Sequence, residues 1–410
     1  MKILWFTSSP CDSMNNKKQI TGGWIASLEQ ELRKRSDIDL SVAFYSIEKI
    51  APFEYNNVNY YPIKKTRIER ILIRIFSKVS YKYLPDYISI IEKVKPDVIH
   101  IHGTEGEFPL IISKTKVPIV LSMQSILSSY VEKYYSGISK HFSWLHARLI
   151  DILLFRTYNS IYKLTINAAT KEREYYLKLN YIIGRTDWDK NISRLLSPHS
   201  TYYHVDEILR APFYEVKWNK PTNKTLTLVT TMSDSIYKGL ETIYKTASIM
   251  KEYGLNFVWK VIGQNENSTY ARLTRSYTKI NNDDVNVSLM GKIDADRVIS
   301  ELLNSDIFIQ VSHIENSPNS LCEAMMLGMP IIASFSGGTS SMLRDKKEGL
   351  LYQDGDSYNL AGCIKYLSCN FDEAIIYGKE ARCRAFERHN KDTIVNQVLN
   401  CYSEIIKENS

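Results

Sequence analysis

Two carboxylates stand eight positions apart in the stretch ENSPNSLCEAMMLGMP (315–330), with Glu315 before a Pro-Asn-Ser turn and Glu323 after it. A carboxylate can accept a pair of hydroxyl hydrogen bonds, which suits a sugar or a ribose. The turn leads into a helix start, where unpaired N–H groups and a partial positive charge suit phosphate. Taken alone, a helix start binds any anion, and a glutamate in a first turn merely complements the helix dipole. The combination points to a phosphorylated, hydroxyl-rich ligand. Met325 and Met326 in the same stretch read as core.

These residues need elements to carry them. Glu315 follows the apolar run DIFIQVS (306–312), so it stands at the carboxyl end of a predicted strand. The helix LCEAMMLG ends at Gly328, and Pro330 opens a further strand, PIIAS (330–334). TLTLVTT (225–231), NFVWKVIG (256–263), VNVSLMG (285–291) and GLLYQ (349–353) complete this set. Upstream, the expected strands are KILWF (2–6), DLSVAFYS (39–46), PDVIHIHG (96–103), VPIVLSMQ (117–124), KLTINA (163–168) and YIIG (181–184). Helical patterns such as GLETIYKTASIMKEY (239–253) lie between them. Near-continuous apolar strands alternating with helices indicate parallel sheets covered on both faces, an α/β fold class.

At 410 residues the chain exceeds the size at which one core keeps growing, so two Rossmann-like domains are expected. The pattern weakens over 202–224, which places the domains at 1–210 and 211–375, with a helical stretch 376–410 long enough to pack back on the first. Ligands of open α/β sheets bind off the carboxyl ends of the strands, so both domains should present loops to a cleft.

With its strand before and its apolar helix after, E-x7-E followed by GMPIIASFSGG (328–338) resembles the retaining glycosyltransferases of the GT-B fold, family 4, also known as glycosyl transferases group 1. Gly22-Gly23, PDVIHIHG, Lys238-Gly239, VIG (261–263) and SLMG (288–291) match that family in the same order. The resemblance implies a nucleotide-diphosphate sugar donor held mainly by the second domain. By position it gives Glu323 the ribose hydroxyls, Glu315 the transferred sugar, and the amides of Asn319, Ser320 and Leu321 the sugar and diphosphate. Lys238 would neutralise the β-phosphate as the glycosidic bond breaks, because a fixed cation there lowers the barrier. Gly263 and Lys292 would border the base, and Gly22 and Gly23 would let the first loop approach the diphosphate.

The sequence departs from the family in two places. TTMSDSIYKG (230–239) lacks the arginine that many relatives carry before the lysine, leaving Ser233, Ser235 or Arg185 to fill that place. Gln124 stands where many relatives end a strand in histidine, so His102, at the mouth of the preceding strand, becomes the catalytic histidine candidate. GRTDWDK (184–190) places Arg185, Asp187 and Asp189 at a strand end, as sugar, phosphate or acceptor contacts. His100 and Trp188 read as packing. No metal is expected: the pairs at 283–284 and 294–296 sit where solvated or capping aspartates are usual, and no cofactor is implied beyond the donor substrate.

Hydrophobic content of 44% and charged content of 24% are ordinary for a globular chain, and the net charge of +7 is mild. Six cysteines without a C-x-x-C pair read as reduced thiols of a cytoplasmic protein. The opening MKILWFTSSP is too short in apolar residues for a signal peptide, and no run nears the roughly 18 needed to span a bilayer. The stretch 64–82 concentrates seven basic residues against one acid, with Arg67, Arg70, Arg74, Lys78 and Lys82 on one helical stripe. Such a helix can lie on an anionic membrane surface or simply present a solvated face, and 141–158 is a second candidate. No recognition module for nucleic acid is present. The expected activity is transfer of a sugar to a glycan or lipid-linked acceptor in cell-envelope polysaccharide synthesis, at the inner membrane face. The alternatives are a catalytically silent sugar-nucleotide-binding subunit, or a phosphorylase or epimerase on the same fold.

Overall fold

The structure, a computed structural model, describes residues 1–8, 23–66, 69, 81–222 and 224–410. Gly22 and the stripe residues Arg67, Arg70, Arg74 and Lys78 lie outside the described residues. The chain divides into two compact units: 1–131, 148–210 and 389–410 form the first, and 132–147 with 211–388 form the second.

The first unit is built on an eight-stranded sheet. Its strands are β1 (Lys2–Thr7), β2 (Asp39–Ser46), β3 (Phe53–Tyr55), β4 (Val58–Lys64), β5 (Val98–His102), β6 (Ile119–Ser122), β7 (Tyr181–Gly184) and β8 (Thr201–His204). Their order is β3-β4-β2-β1-β5-β6-β7-β8, and every pairing is parallel except β3 with β4. Alternation along each strand feeds two cores. Ile3, Trp5, Val42 and Val98 pack on one face; Leu4, Phe6, Ala43 and Ile99 pack on the other. The carboxyl-terminal helix Lys391–Asn409 joins the first of these cores through Val398, Leu399 and Tyr402. The Tyr402 hydroxyl accepts the Trp5 indole N–H at 3.0 Å and meets His100 Nδ1 at 2.6 Å.

One local expectation changes here, and two elements are added. KLTINA is not a strand but lies inside the helix Tyr158–Tyr176, whose buried Ala169, Glu172, Tyr175 and Tyr176 follow a helical period. Ile166 is exposed, so the β-branched run is not core. The hairpin β3–β4 turns on Asn56 and Asn57, both at positive φ (50° and 62°), the turn chemistry that suits a tight hairpin. β8 extends the sheet by one more edge strand.

The second unit carries six parallel strands: β9 (Leu226–Thr231), β10 (Phe257–Ile262), β11 (Val287–Gly291), β12 (Ile307–Gln310), β13 (Ile331–Phe335) and β14 (Leu350–Gln353). All six coincide with the apolar runs read from the sequence. The order β11-β10-β9-β12-β13-β14 is the doubly wound 3-2-1-4-5-6 arrangement, with its switch point between β9 and β12. Residues 132–147 group with this unit rather than with 1–210. Tyr134 packs its ring 5.9 Å from that of Tyr237, and Phe142 meets Tyr277 at 5.1 Å. The expected segment 376–410 is also divided, since the helix Phe371–Arg388 stays in the second unit and only the last helix joins the first.

Candidate functional site

The switch point of the second sheet brings together the loops that leave β9 and β12, and each supplies one charge. Lys238 closes a short 3-10 turn after β9, and Glu315 lies five residues past the end of β12. The Lys238 ammonium donates to the Glu315 carboxylate, and both side chains are largely buried. Burial alone would lower the lysine pKa; the charge of Glu315, with Tyr237 beside it, more than offsets this and holds Lys238 above the usual lysine range.

Glycines set this geometry. Gly239 follows Lys238 at φ +79°, and a Cβ there would lie 2.1 Å from the Val311 carbonyl oxygen. Gly337 (φ +52°) backs onto Glu315, with a Cβ position only 1.9 Å from the Glu315 carbonyl oxygen. The Gly338 N–H donates to that same oxygen at 2.9 Å. Ser334 and Ser336 tie β13 to the loop after β12 by donating to the Ser312 carbonyl at 2.6 and 2.8 Å. The S-x-S-G-G run is thus the clamp that fixes the Glu315 backbone.

Beyond Glu315 the helix Asn319–Leu327 begins. Its N-cap is Pro318, which makes no side-chain cap hydrogen bond, so no hydroxyl or carboxylate of the cap residue covers the first-turn amides. Asn319 and Ser320 are partly exposed, whereas Leu321 and Glu323 are buried. Ser233, Gly263 and Lys292 lie at the carboxyl ends of β9, β10 and β11 along the same edge. Ser233 and Lys292 are exposed, and the Ser233 carbonyl accepts the Gln264 amide at 2.8 Å. Gly263 takes φ +96°, where a Cβ would lie 2.1 Å from the Met232 carbonyl oxygen. Asp294, one of the suspected capping aspartates, accepts the Arg297 N–H at 2.8 Å as an N-cap.

One residue of this site escaped the sequence reading. His313, two positions before Glu315, is buried between two carboxylates, with Nε2 2.6 Å from Glu241 and Nδ1 2.6 Å from Asp354. Burial would lower its pKa, but its hydrogen bonds and the charges of Asp354 and Glu241 raise it to about 10. Glu241 opens the helix that follows Lys238 and Gly239, and Asp354 follows β14. The imidazolium therefore fastens the Glu315 loop to the Lys238 side of the switch point. Gly137, from the 132–147 segment, lies against this clamp: a Cβ there would be 2.0 Å from Glu241 Oε1 and 2.6 Å from His313 Nε2.

The remaining candidates belong to the first unit. His102 ends β5, is 3% exposed, and neither ring nitrogen has a hydrogen-bond partner among the described residues. It stacks on His100 at 3.9 Å and meets Trp5 edge-on at 4.7 Å. Burial, reinforced by His100 and Arg185, holds it well below the usual histidine range. Gln124 borders Gly103 just beyond, its Cδ 3.3 Å from where a Gly103 Cβ would stand. Arg185 is buried, stacks 3.8 Å over the Trp24 ring and pairs with Glu207 at 3.7 Å. Gly23 opens the helix Gly23–Leu32 at φ +34°. Asp187 is exposed at the start of the helix Asp187–Leu196. Asp189 is fully buried and serves as a capping-box acid: its carboxylate accepts Arg185 N–H at 2.9 Å and Tyr202 O–H at 2.6 Å. Its geometry is that of a cap and not of an acceptor contact.

Residues 213–383 match the family described as Glycosyl transferases group 1. The amylovoran biosynthesis glycosyltransferase AmsK of Erwinia amylovora is 25% identical over 167 residues, 39% of this chain and 40% of that one. The sulfoquinovosyl transferase SQD2 of Arabidopsis thaliana is 22% identical over 311 residues, 74% of this chain and 56% of that one. The chain spans about half the length of these curated relatives. Sucrose-phosphate synthase from Thermosynechococcus elongatus superposes with a TM-score of 0.73 at 14% identity, over 100% of both chains. Anabaena HepE, solved with UDP and glucose, superposes with a TM-score of 0.65 at 14% identity, over 98% of this chain and 99% of that one. The fold of the chain is GT-B, and its residues 213–383 resemble the glycosyl transferases group 1 family.

Proposed function

We propose that the chain is a retaining, metal-independent glycosyltransferase that uses a nucleotide-diphosphate sugar to extend a glycan or lipid-linked acceptor of the cell envelope. The observation that carries this reading is the Lys238–Glu315 pair at the switch point, beside a helix start without a side-chain cap. HepE, with the same fold, was solved with UDP and glucose, which supports a nucleotide-sugar ligand here. The donor diphosphate lies against the amides of Asn319, Ser320 and Leu321, and Lys238 exchanges Glu315 for the β-phosphate. Glu315 turns to the sugar and Glu323 takes the ribose hydroxyls.

In the reaction the bond from the anomeric carbon to the β-phosphate oxygen breaks, and a bond from that carbon to the acceptor oxygen forms on the same face. The acceptor proton passes to the departing phosphate oxygen. Negative charge grows on that phosphate, and Lys238 with the helix amides stabilises it, which is the task a divalent cation performs elsewhere.

A thermal-shift screen of nucleotide sugars identifies the donor, since a bound donor raises the melting temperature by mass action. Transfer of its radiolabelled sugar is then measured with wild type and Glu315→Ala, with and without chelator. The expected result is transfer that survives the chelator and is lost in Glu315→Ala. Neither transfer nor donor hydrolysis with any common nucleotide sugar would overturn the reading.

A further inference from the structure

One helix of the first unit is turned inside out. In Leu149–Leu153 the buried residue is Asp151, while Leu149, Ile150, Ile152 and Leu153 are 78%, 52%, 47% and 73% exposed. Asp151 is gripped by the Arg148 guanidinium at 2.7 and 3.1 Å, and its carbonyl accepts the Arg156 N–H at 2.8 Å. A surface helix ordinarily does the reverse, with its apolar stripe inward and its charges outward. Phe155 follows at φ +52°, a left-handed conformation that a glycine would take without strain, and still presents an exposed ring. The segment thus holds its acid in and its hydrocarbon out, and strains the backbone at an outward-facing aromatic.

The flanking charge is positive. From 148 to 163 Asp151 is the only acid, and Arg148 neutralises it. That leaves Arg156 and Lys163, both exposed, in the chain that follows the apolar segment. Contiguous exposed hydrocarbon on a globular chain marks a surface that something covers. A free sugar offers little apolar area to match it. A second copy meeting the same patch would bring Arg156 and Lys163 against their own equivalents, a like-charge arrangement that disfavours pairing.

We infer that Leu149–Phe155 docks on an anionic lipid bilayer. The four aliphatic side chains and Phe155 enter the boundary between headgroups and acyl chains, while Arg156 and Lys163 meet the lipid phosphates. This surface is independent of the donor site and stands whether or not the transferase reading does.

The test is flotation of the full chain with phosphatidylcholine vesicles, with and without phosphatidylglycerol. Wild type should float with the anionic vesicles. The double variant Leu149→Ser/Leu153→Ser should bind about tenfold more weakly. Arg156→Glu should lose about fivefold toward the anionic vesicles alone. Both substitutions fall on exposed side chains, so an unchanged melting temperature certifies the fold. Absence of wild-type binding, or equal binding by the double variant, would overturn the inference. So would light scattering that shows a wild-type dimer converted to monomer by the double variant, since the patch would then belong to a second copy.

Discussion

At the carboxyl end of β5 in the first unit, His100 and His102 stack 3.9 Å apart, and burial keeps both uncharged. Beyond the carboxyl end of β12 in the second unit, His313 lies between Glu241 and Asp354 and stays charged. The difference is one of partners. His100 meets the neutral hydroxyls of Tyr402 and Ser122, at 2.6 and 2.7 Å, so desolvation wins and its pKa falls to about 3. His313 meets two carboxylates, so their attraction outweighs the same desolvation. The second unit is thus organised around fixed, paired charge: Lys238 with Glu315, and His313 with two acids. The first offers uncharged polar groups at its corresponding strand end. A pre-set cation suits a departing phosphate.

The contrast breaks most sharply at His313. His313→Ala leaves Glu241 and Asp354 facing each other without the cation, and should destabilise the protein by about 3–5 kcal/mol in denaturant unfolding. A loss below about 1 kcal/mol would show that the clamp is not needed. Gly337→Ala comes next. Its new Cβ would collide with the Glu315 carbonyl oxygen in a left-handed conformation, with an expected cost of about 1–3 kcal/mol and a matching fall in transfer rate.

pH sharpens the comparison because the two histidine sets carry opposite signs. The folded pKa of His313, about 10, lies above its unfolded value near 6.5, so its contribution is full below about pH 6.5 and is lost as pH rises through 10. The folded pKa of His100, about 3, lies below the unfolded value, so stability is full above about pH 6.5 and falls as pH drops toward 3. Melting temperatures recorded from pH 4 to pH 10.5 should therefore decline at both ends. His313→Gln should flatten only the alkaline limb and His100→Gln only the acidic one. Both limbs unchanged in both variants would remove the assignment.

The smallest expected effect on stability is at His102. Replacing a buried polar group that has no hydrogen-bond partner among the described residues by an apolar ring of similar shape is close to neutral, so His102→Phe should change stability by less than about 1 kcal/mol. If His102 serves the acceptor, transfer should fall about tenfold while stability holds, which fits a polar group kept for function.

How far the sequence could be read also differs between the units. All six strands of the second coincide with apolar runs, and Lys238 and Glu315 lie in the loops that follow two of them. In the first unit the hairpin strand β3 has no fully buried residue, so its signal was confined to Asn56-Asn57. KLTINA misled because a β-branched run in a helix looks like a strand until its exposure is known. His313 gave no local signal at all: its partners stand 72 and 41 residues away, brought together only by the crossovers of the sheet. The grouping of 132–147 with the second unit was hidden for the same reason, since Gly137 and Tyr134 find their neighbours around residues 237 to 241.

The most direct test of the central claim is the rate of sugar transfer by Lys238→Ala under saturating donor, measured beside donor affinity. Loss of a fixed cation from the departing phosphate should lower the rate by about 10²–10³, with affinity changed by less than about tenfold. A rate within about threefold of wild type would contradict the account, because the charge at the switch point would then play no part in breaking the bond.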